Sequence, residues 1–291
     1  MTPTLVRHHL SHVDSPPRVN LGARARDWSE IQERMLVPLY ETVHERLEVG
    51  PATRLLGLRC GSGLALLMAA ARGAAVTGVD SSPERLALAR ERLLPEPAPG
   101  ARARGRAARI GAARIVEGTP RNAAAAQAPA YSLITAFDPI GCRAGDAERL
   151  GDLLAEATPL AEPGAAVVLT GWGPPERCAT SSVLRVAAKL ADPLRSSGSW
   201  RPACRDDLEE VAQRAGLRID GSGRVSCPFG YADADSAVRG LLSTGLFDAG
   251  ILAVGEEQVG KELAEALHPH VCADGTVWMP NVFRYLIARV R

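Results

Sequence analysis

The sequence lacks the features that mark a membrane span, a secretory route or a metal cluster. No apolar run approaches the roughly 18 residues of a bilayer-crossing helix, although apolar residues make up 46% of the chain. The opening stretch, residues 1–20, is rich in proline, serine and histidine (His8, His9, His12) and has no periodicity. It also has no apolar segment followed by a cleavage site, so a flexible N-terminus and a cytoplasmic location are expected. The six cysteines, Cys60, Cys142, Cys178, Cys204, Cys227 and Cys272, include no C-x-x-C pair. That spacing argues against a disulfide framework and against a zinc site, and leaves free thiols and no metal as the expectation.

Charge of one sign is missing too. The net charge is +1 and the pI about 7.7, so no global field favours nucleic acid or acidic membranes. The basic cluster Arg102, Arg104, Arg106, Arg109 and Arg114 lies in an Ala/Gly-rich stretch without aromatic residues to stack on bases, and reads as a solvated helix end or loop. Lysine is confined to Lys189 and Lys261, a skew that points to genome composition rather than function. There is no catalytic triad motif, no phosphate loop and no internal repeat. Neither a nucleic-acid nor a membrane partner is expected; a small-molecule substrate is, and a homodimer is compatible with the sequence.

The chain does have a rhythm of strands and helices. Trp28, Ile31, Met35, Leu36, Leu39 and Val43 recur at helical spacing and predict an amphipathic helix over 27–48. Arg54 to Leu58 predicts a strand, Leu64 to Arg72 a helix, Ala75 to Val79 a strand, and Ser82 to Leu94 a helix with Pro83 in its first turn. Strands follow at 113–117, 131–137 and 165–172, with helices at 121–128 and 147–157. Beyond these, helices are predicted at 182–190, 205–215, 236–242 and 256–267, an extended segment at 217–227 and a last strand at 276–288. Alternating strands and helices imply an α/β doubly wound, mainly parallel sheet, here of seven strands. A single domain over 21–291 is expected, with 177–215 and 231–270 as helical cover elements.

In such a sheet, ligands sit at the carboxyl ends of the strands where strand order reverses. The turn Arg59-Cys60-Gly61-Ser62-Gly63 and the acid Asp80 fall on that edge, with Asp80 19 residues after Gly61. Glycines let a ligand approach the backbone, and an acid ending the next strand can accept hydrogen bonds from ribose hydroxyls. Taken singly, each piece has a plainer use: a tight turn, or a cap on the helix starting near Ser82. The joint pattern points to a nucleoside-bearing ligand. Leu66, where a third small residue would stand, disfavours the nicotinamide version.

Leu55-Leu56-Gly57-Leu58-Arg59-Cys60-Gly61-Ser62-Gly63 followed by Val76-Thr77-Gly78-Val79-Asp80 resembles the first two motifs of class I S-adenosylmethionine-dependent methyltransferases, of the small-molecule type similar to those of quinone biosynthesis. The resemblance covers about residues 25–175, and the ending Asn281 to Leu286 is similar to the family's last antiparallel strand. It implies a Rossmann-like methyltransferase fold with S-adenosylmethionine as cofactor. Gly61 and Gly63 would face the methionine and ribose, Asp80 would bind the ribose hydroxyls, Ser81 would border the adenine, and Gly118 and Thr119 would flank the base. Phe137 and Asp138 would stand near the reactive methyl.

Three positions depart from the pattern. Gly57 replaces an acid that helps hold the methionine amino group, Arg59 replaces the first glycine of the loop, and Thr119 replaces a common adenine-contacting Asp. Arg59 could pair with the cofactor carboxylate, with Asp138, or with water. Methyl transfer from a sulfonium needs alignment and, for a protonated nucleophile, a base; Asp138 in Asp138-Pro139 is the candidate catalytic carboxylate, able to take a proton or bind an amine, with turn formation as its plainer use. Trp200, Phe229, Tyr231 and Phe247 are candidates for an apolar substrate pocket. His268 and His270 are read as helix-end residues rather than ligands. The expected activity is methyl transfer to O, N or C of a small molecule, with secondary metabolism as the expected setting; the alternatives are a cyclase or isomerase on the same fold and a non-catalytic partner subunit.

Overall fold

The computed structural model describes residues 20–94, 112–124, 130–143, 145–191 and 207–291. The expected flexible segment up to Val19, Arg102 to Arg109, Trp200 and Cys204 lie outside the described residues.

The chain enters through α1 (Leu21–Asp27), whose N-cap Asn20 accepts the amide of Ala23 at 3.0 Å. The run continues through a π turn, Trp28–Gln32, and a 3-10 turn, Glu33–Leu36, into α2 (Val37–Arg46). The one helix predicted over 27–48 is therefore longer at its start and broken in hydrogen-bond register. Pro38 gives a physical reason: it has no N–H and its ring opposes the carbonyl four residues back, so it belongs in the first turn of a new helix.

Next come β1 (Arg54–Leu58), α3 (Leu64–Ala71), β2 (Ala75–Asp80), α4 (Pro83–Leu93) and β3 (Ala113–Glu117). Ser82 caps α4 by accepting the amide of Arg85 at 3.3 Å. Then follow β4 (Tyr131–Ile140), α5 (Asp146–Ala157) and β5 (Ala161–Trp172). The helix predicted over 121–128 starts as a 3-10 turn, Pro120–Ala123, and residues 125–129 lie outside the described residues.

The second part comprises α6 (Thr180–Ala191), α7 (Asp207–Arg214), β6 (Arg218–Ser226), β7 (Phe229–Tyr231), α8 (Ala234–Ser243), α9 (Asp248–Val254), α10 (Glu256–Leu267), β8 (Val277–Met279) and β9 (Val282–Arg289). The helix α9 was not predicted. The last strand, read as continuous over 276–288, is two: β8 pairs with β7, and β9 joins the main sheet. The break falls at Pro280-Asn281. Buried Asn281 accepts the amide of Thr180 at 3.2 Å and donates to the Thr180 hydroxyl at 2.9 Å and the Met279 carbonyl at 3.1 Å, so its side chain holds the corner.

The seven-stranded sheet runs β3-β2-β1-β4-β5-β9-β6, parallel through β5 and antiparallel on both sides of β9. This is the expected doubly wound architecture. Alternate strand residues face two cores: Leu55, Leu133 and Val168 pack with α2, α3 and the cover helices, while Leu56, Ile134 and Val167 pack with α5 and α7. Strand order reverses between β1 and β4, which opens a crevice at their carboxyl ends. No single helix among the described residues is long and apolar enough to cross a membrane.

Candidate functional site

The loop between β1 and α3 carries three residues in the left-handed region: Arg59 at φ 48°, Gly61 at 57° and Gly63 at 80°. A side chain on Gly63 would meet Ala89 at 3.1 Å and Leu93 at 3.2 Å, so this glycine brings α3 and α4 together rather than lining the crevice. One on Gly61 would meet the indole nitrogen of Trp28 at 3.1 Å and Glu33 at 3.3 Å. The N-terminal segment thus sits directly on the loop. Asp80 fastens the arrangement: Gly61 and Ser82 each donate a backbone N–H to its two carboxylate oxygens at 2.9 Å. Each oxygen keeps a further lone pair.

Gly57 has a packing reason. It pairs in register with Gly78, and a side chain on either would collide with Leu66, at 2.9 Å from Gly57 and 2.5 Å from Gly78. The Leu66 side chain occupies the space that a side chain at position 57 would need.

A cavity of about 340 Å³ lies over the crevice, within the size range of small-molecule sites. Of the residues singled out in the sequence, Gly57, Arg59, Cys60, Gly61, Asp80, Ser81, Phe137 and Asp138 line it. Gly63, Gly118 and Thr119 are not among its lining residues. Gly118 instead donates its amide to the Asp80 carbonyl at 2.9 Å, and exposed Thr119 caps the 3-10 turn through Asn122, whose side chain accepts its amide at 3.0 Å.

The far end of the cavity is aromatic. Phe137 stands between Tyr40, ring centres 4.9 Å apart, and His44, 5.8 Å away edge-on. Trp172, Phe229 and Phe283 form a second cluster, with Trp172 and Phe283 at 4.6 Å. Phe229 was expected at the pocket and lines it; Tyr231 and Phe247 are buried core residues outside it. Between the two ends, β4 bulges: Ala136 pairs with Leu169 but Ile140 with Gly171, so Asp138-Pro139 leaves the ladder inside the strand rather than forming a turn after it. The exposed Asp138 carboxylate accepts a hydrogen bond from the Arg59 guanidinium at 3.2 Å.

The thiols on the wall are held protonated. Burial, then the charges of Asp80 and Glu33, push Cys60 up; burial, then Asp146, pushes Cys142 up. Neither is an activated nucleophile. Burial, then Glu33 and Asp138, likewise keeps the Tyr40 phenol neutral. Asp146 is occupied, accepting the amides of Gly141, Cys142 and Arg143 at 3.3, 3.2 and 2.8 Å and Arg149 at 2.6 Å.

Sequence reasoning missed the network that seats the N-terminal segment. Glu33, 2% exposed, accepts the Ser62 hydroxyl and, at 2.7 Å, the guanidinium of Arg92, which also reaches Ser29. Nothing local separates Ser29 and Glu33 from residues of a solvated helix face. Among the described residues, two side-chain donors on residues lining this cavity are buried without partners, Trp28 Nε1 and one Arg143 Nη. Among the described residues no three His, Cys, Asp or Glu side chains converge as metal ligands; His268 and His270 close the 3-10 turn after α10.

Neither the protein-family models nor the curated proteins contain a match to this chain. Among solved structures it is similar to a Bacillus halodurans C-125 protein provisionally assigned as a methyltransferase, with 15% identity, 86% of this chain and 97% of the other covered, and a TM-score of 0.51. It is also similar to YjhP of E. coli, at 19% identity over 92% of this chain and 99% of the other, with a TM-score of 0.51. With the strand order, the antiparallel β9 and the loop geometry, these likenesses establish that the chain has the Rossmann-like fold of class I methyltransferases.

Proposed function

We propose that this protein transfers a methyl group from S-adenosylmethionine to an O, N or C atom of a small molecule. The observation that carries the reading is one cavity, at the point where strand order reverses, lined by the polar groups of Asp80 and Gly61 and by aromatic rings that include Phe137. The residues fit the cofactor. Asp80 keeps lone pairs for ribose hydroxyls, and Cys60, Gly61 and Ser81 border the nucleoside.

When bound, this cofactor supplies a sulfonium methyl for in-line displacement. The chain's own residues align and shield. Phe137 and the Trp172, Phe229 and Phe283 cluster offer an apolar wall for an aromatic or apolar acceptor and exclude water. Asp138 lines the cavity next to Phe137, and its carboxylate faces the Arg59 guanidinium.

Calorimetry with S-adenosylmethionine and S-adenosylhomocysteine tests the reading: saturable binding is expected, and none at millimolar ligand rejects it. A second reading, a cyclase or isomerase on the same scaffold, is motivated by Gly57 in the place of the acid and Arg59 in the crevice. Turnover that persists after exhaustive removal of nucleoside ligands would favour it; strict cofactor dependence would end it.

A further inference from the structure

Arg59 stands where the backbone asks for glycine. Its φ of 48° is one of two positive values on non-glycine residues among the described residues, the other being Glu48 just past the end of α2. Glu48 belongs to an ordinary helix-ending turn. Arg59 instead lines the cavity and pairs with Asp138 across the crevice at 3.2 Å. A long cation kept at a strained position beside a ligand cavity is a feature that function explains better than packing.

Two facts narrow the function. The carboxylate that would grip an ammonium from position 57 is absent, and Leu66 fills its space. The Arg59 and Asp138 side chains are 28% and 48% exposed and share one contact, so the pair is weak and costs little to open. Their charges face each other over the crevice, which is complementary to a ligand carrying both signs on neighbouring atoms.

We propose that Arg59 and Asp138 form a clamp for the α-amino-acid end of the cofactor, Arg59 taking its carboxylate and Asp138 its ammonium. The inference rests on the S-adenosylmethionine reading. The ligand's zwitterion inserts between the two side chains, each charge trades its present partner for the opposite charge of the ligand, and no net charge is buried alone. The ammonium grip is thereby moved from the end of β1 to the bulge of β4, and Asp138 becomes a cofactor-positioning group.

The test compares binding of S-adenosylhomocysteine, which has the amino-acid end, with that of 5′-methylthioadenosine, which lacks it, by equilibrium dialysis on the full chain. In the wild type the former binds at least about tenfold tighter. Arg59→Ala and Asp138→Ala each lower affinity for S-adenosylhomocysteine to near that of methylthioadenosine, the double variant loses little more than either single one, and methylthioadenosine binding stays constant, which reports an intact fold. Equal wild-type affinities for the two ligands overturn the clamp while leaving the nucleoside site standing. Tighter S-adenosylhomocysteine binding by Arg59→Gly marks Arg59 as an obstruction and overturns it too. Failure of both ligands to bind the wild type removes the cofactor reading and the clamp with it.

Discussion

The two ends of the cavity are built by opposite means. The polar end draws on short contiguous pieces, residues 57–61 and 80–82, bound to each other by the Asp80 carboxylate and roofed by Trp28. The aromatic end gathers Tyr40, Phe137, Trp172, Phe229 and Phe283 from five separate segments that only the folded chain brings together. Contiguous backbone geometry specifies how a ligand common to many proteins is held; scattered side chains specify the partner it meets. A mutation at the polar end should act on ligand binding first, and one at the aromatic end on stability and acceptor choice.

The sharpest way to break this contrast is Phe283→Ala. The ring is fully buried among Trp172 and Phe229, so urea unfolding should show a loss of about 4 kcal/mol with nucleoside affinity little changed. A large affinity loss in the folded variant would mean that the two ends are coupled.

His44, fully buried against Phe137 with both ring nitrogens unpartnered among the described residues, makes the aromatic end sensitive to acid. Burial, then the charge of Arg72, lowers its pKa to about 4 from 6.5. The unfolded chain therefore takes up a proton that the folded chain refuses, and this contribution to stability is complete above pH 6.5 and drains away as the pH falls towards 4. The loss amounts to about 3 kcal/mol. Urea midpoints measured across that window should fall less steeply in His44→Leu; an unchanged slope would assign the acid sensitivity elsewhere.

At the polar end, Glu33→Gln removes the charge that Arg92 pairs with while keeping the shape. A stability loss of about 2 kcal/mol is expected, because Arg92 keeps its contacts to Ser62 and Ser29. Since the same side chain holds Ser62 of the loop, nucleoside binding should weaken as well. Retained affinity would show that the loop keeps its form without the N-terminal segment.

The smallest effect on stability belongs to Arg59→Gly. Losing a partly exposed ion pair and relieving a left-handed arginine oppose each other at about 1 kcal/mol or less each. Thermal unfolding should therefore stay nearly unchanged, and a marked destabilisation would show that the pair holds β1 to β4.

Much of the scaffold could be read along the chain. The runs Leu55 to Leu58 and Val76 to Asp80, each a parallel strand ending at a turn, were visible because strand, turn and helix propensities there agree with the final packing. Where the reading failed, a distant contact had overridden a local pattern. Asn281 cuts a promising strand because Thr180 receives its amide, and Asp138-Pro139, ordinary turn chemistry by itself, becomes a bulge because β5 continues the ladder beyond it.

The sequence by itself determined the alternation of strands and helices from β1 to β5, the glycine loop and the acid that closes it, since each depends on neighbours a few residues apart. Only the tertiary structure decided that Gly63 serves helix packing, that Leu66 occupies the space beside Gly57, that Glu33 is a buried anchor and that Arg59 meets Asp138. The physical reason is that burial and charge pairing depend on which segments become neighbours, and a polar residue on a helix looks the same in one dimension whether water or another chain segment lies against it.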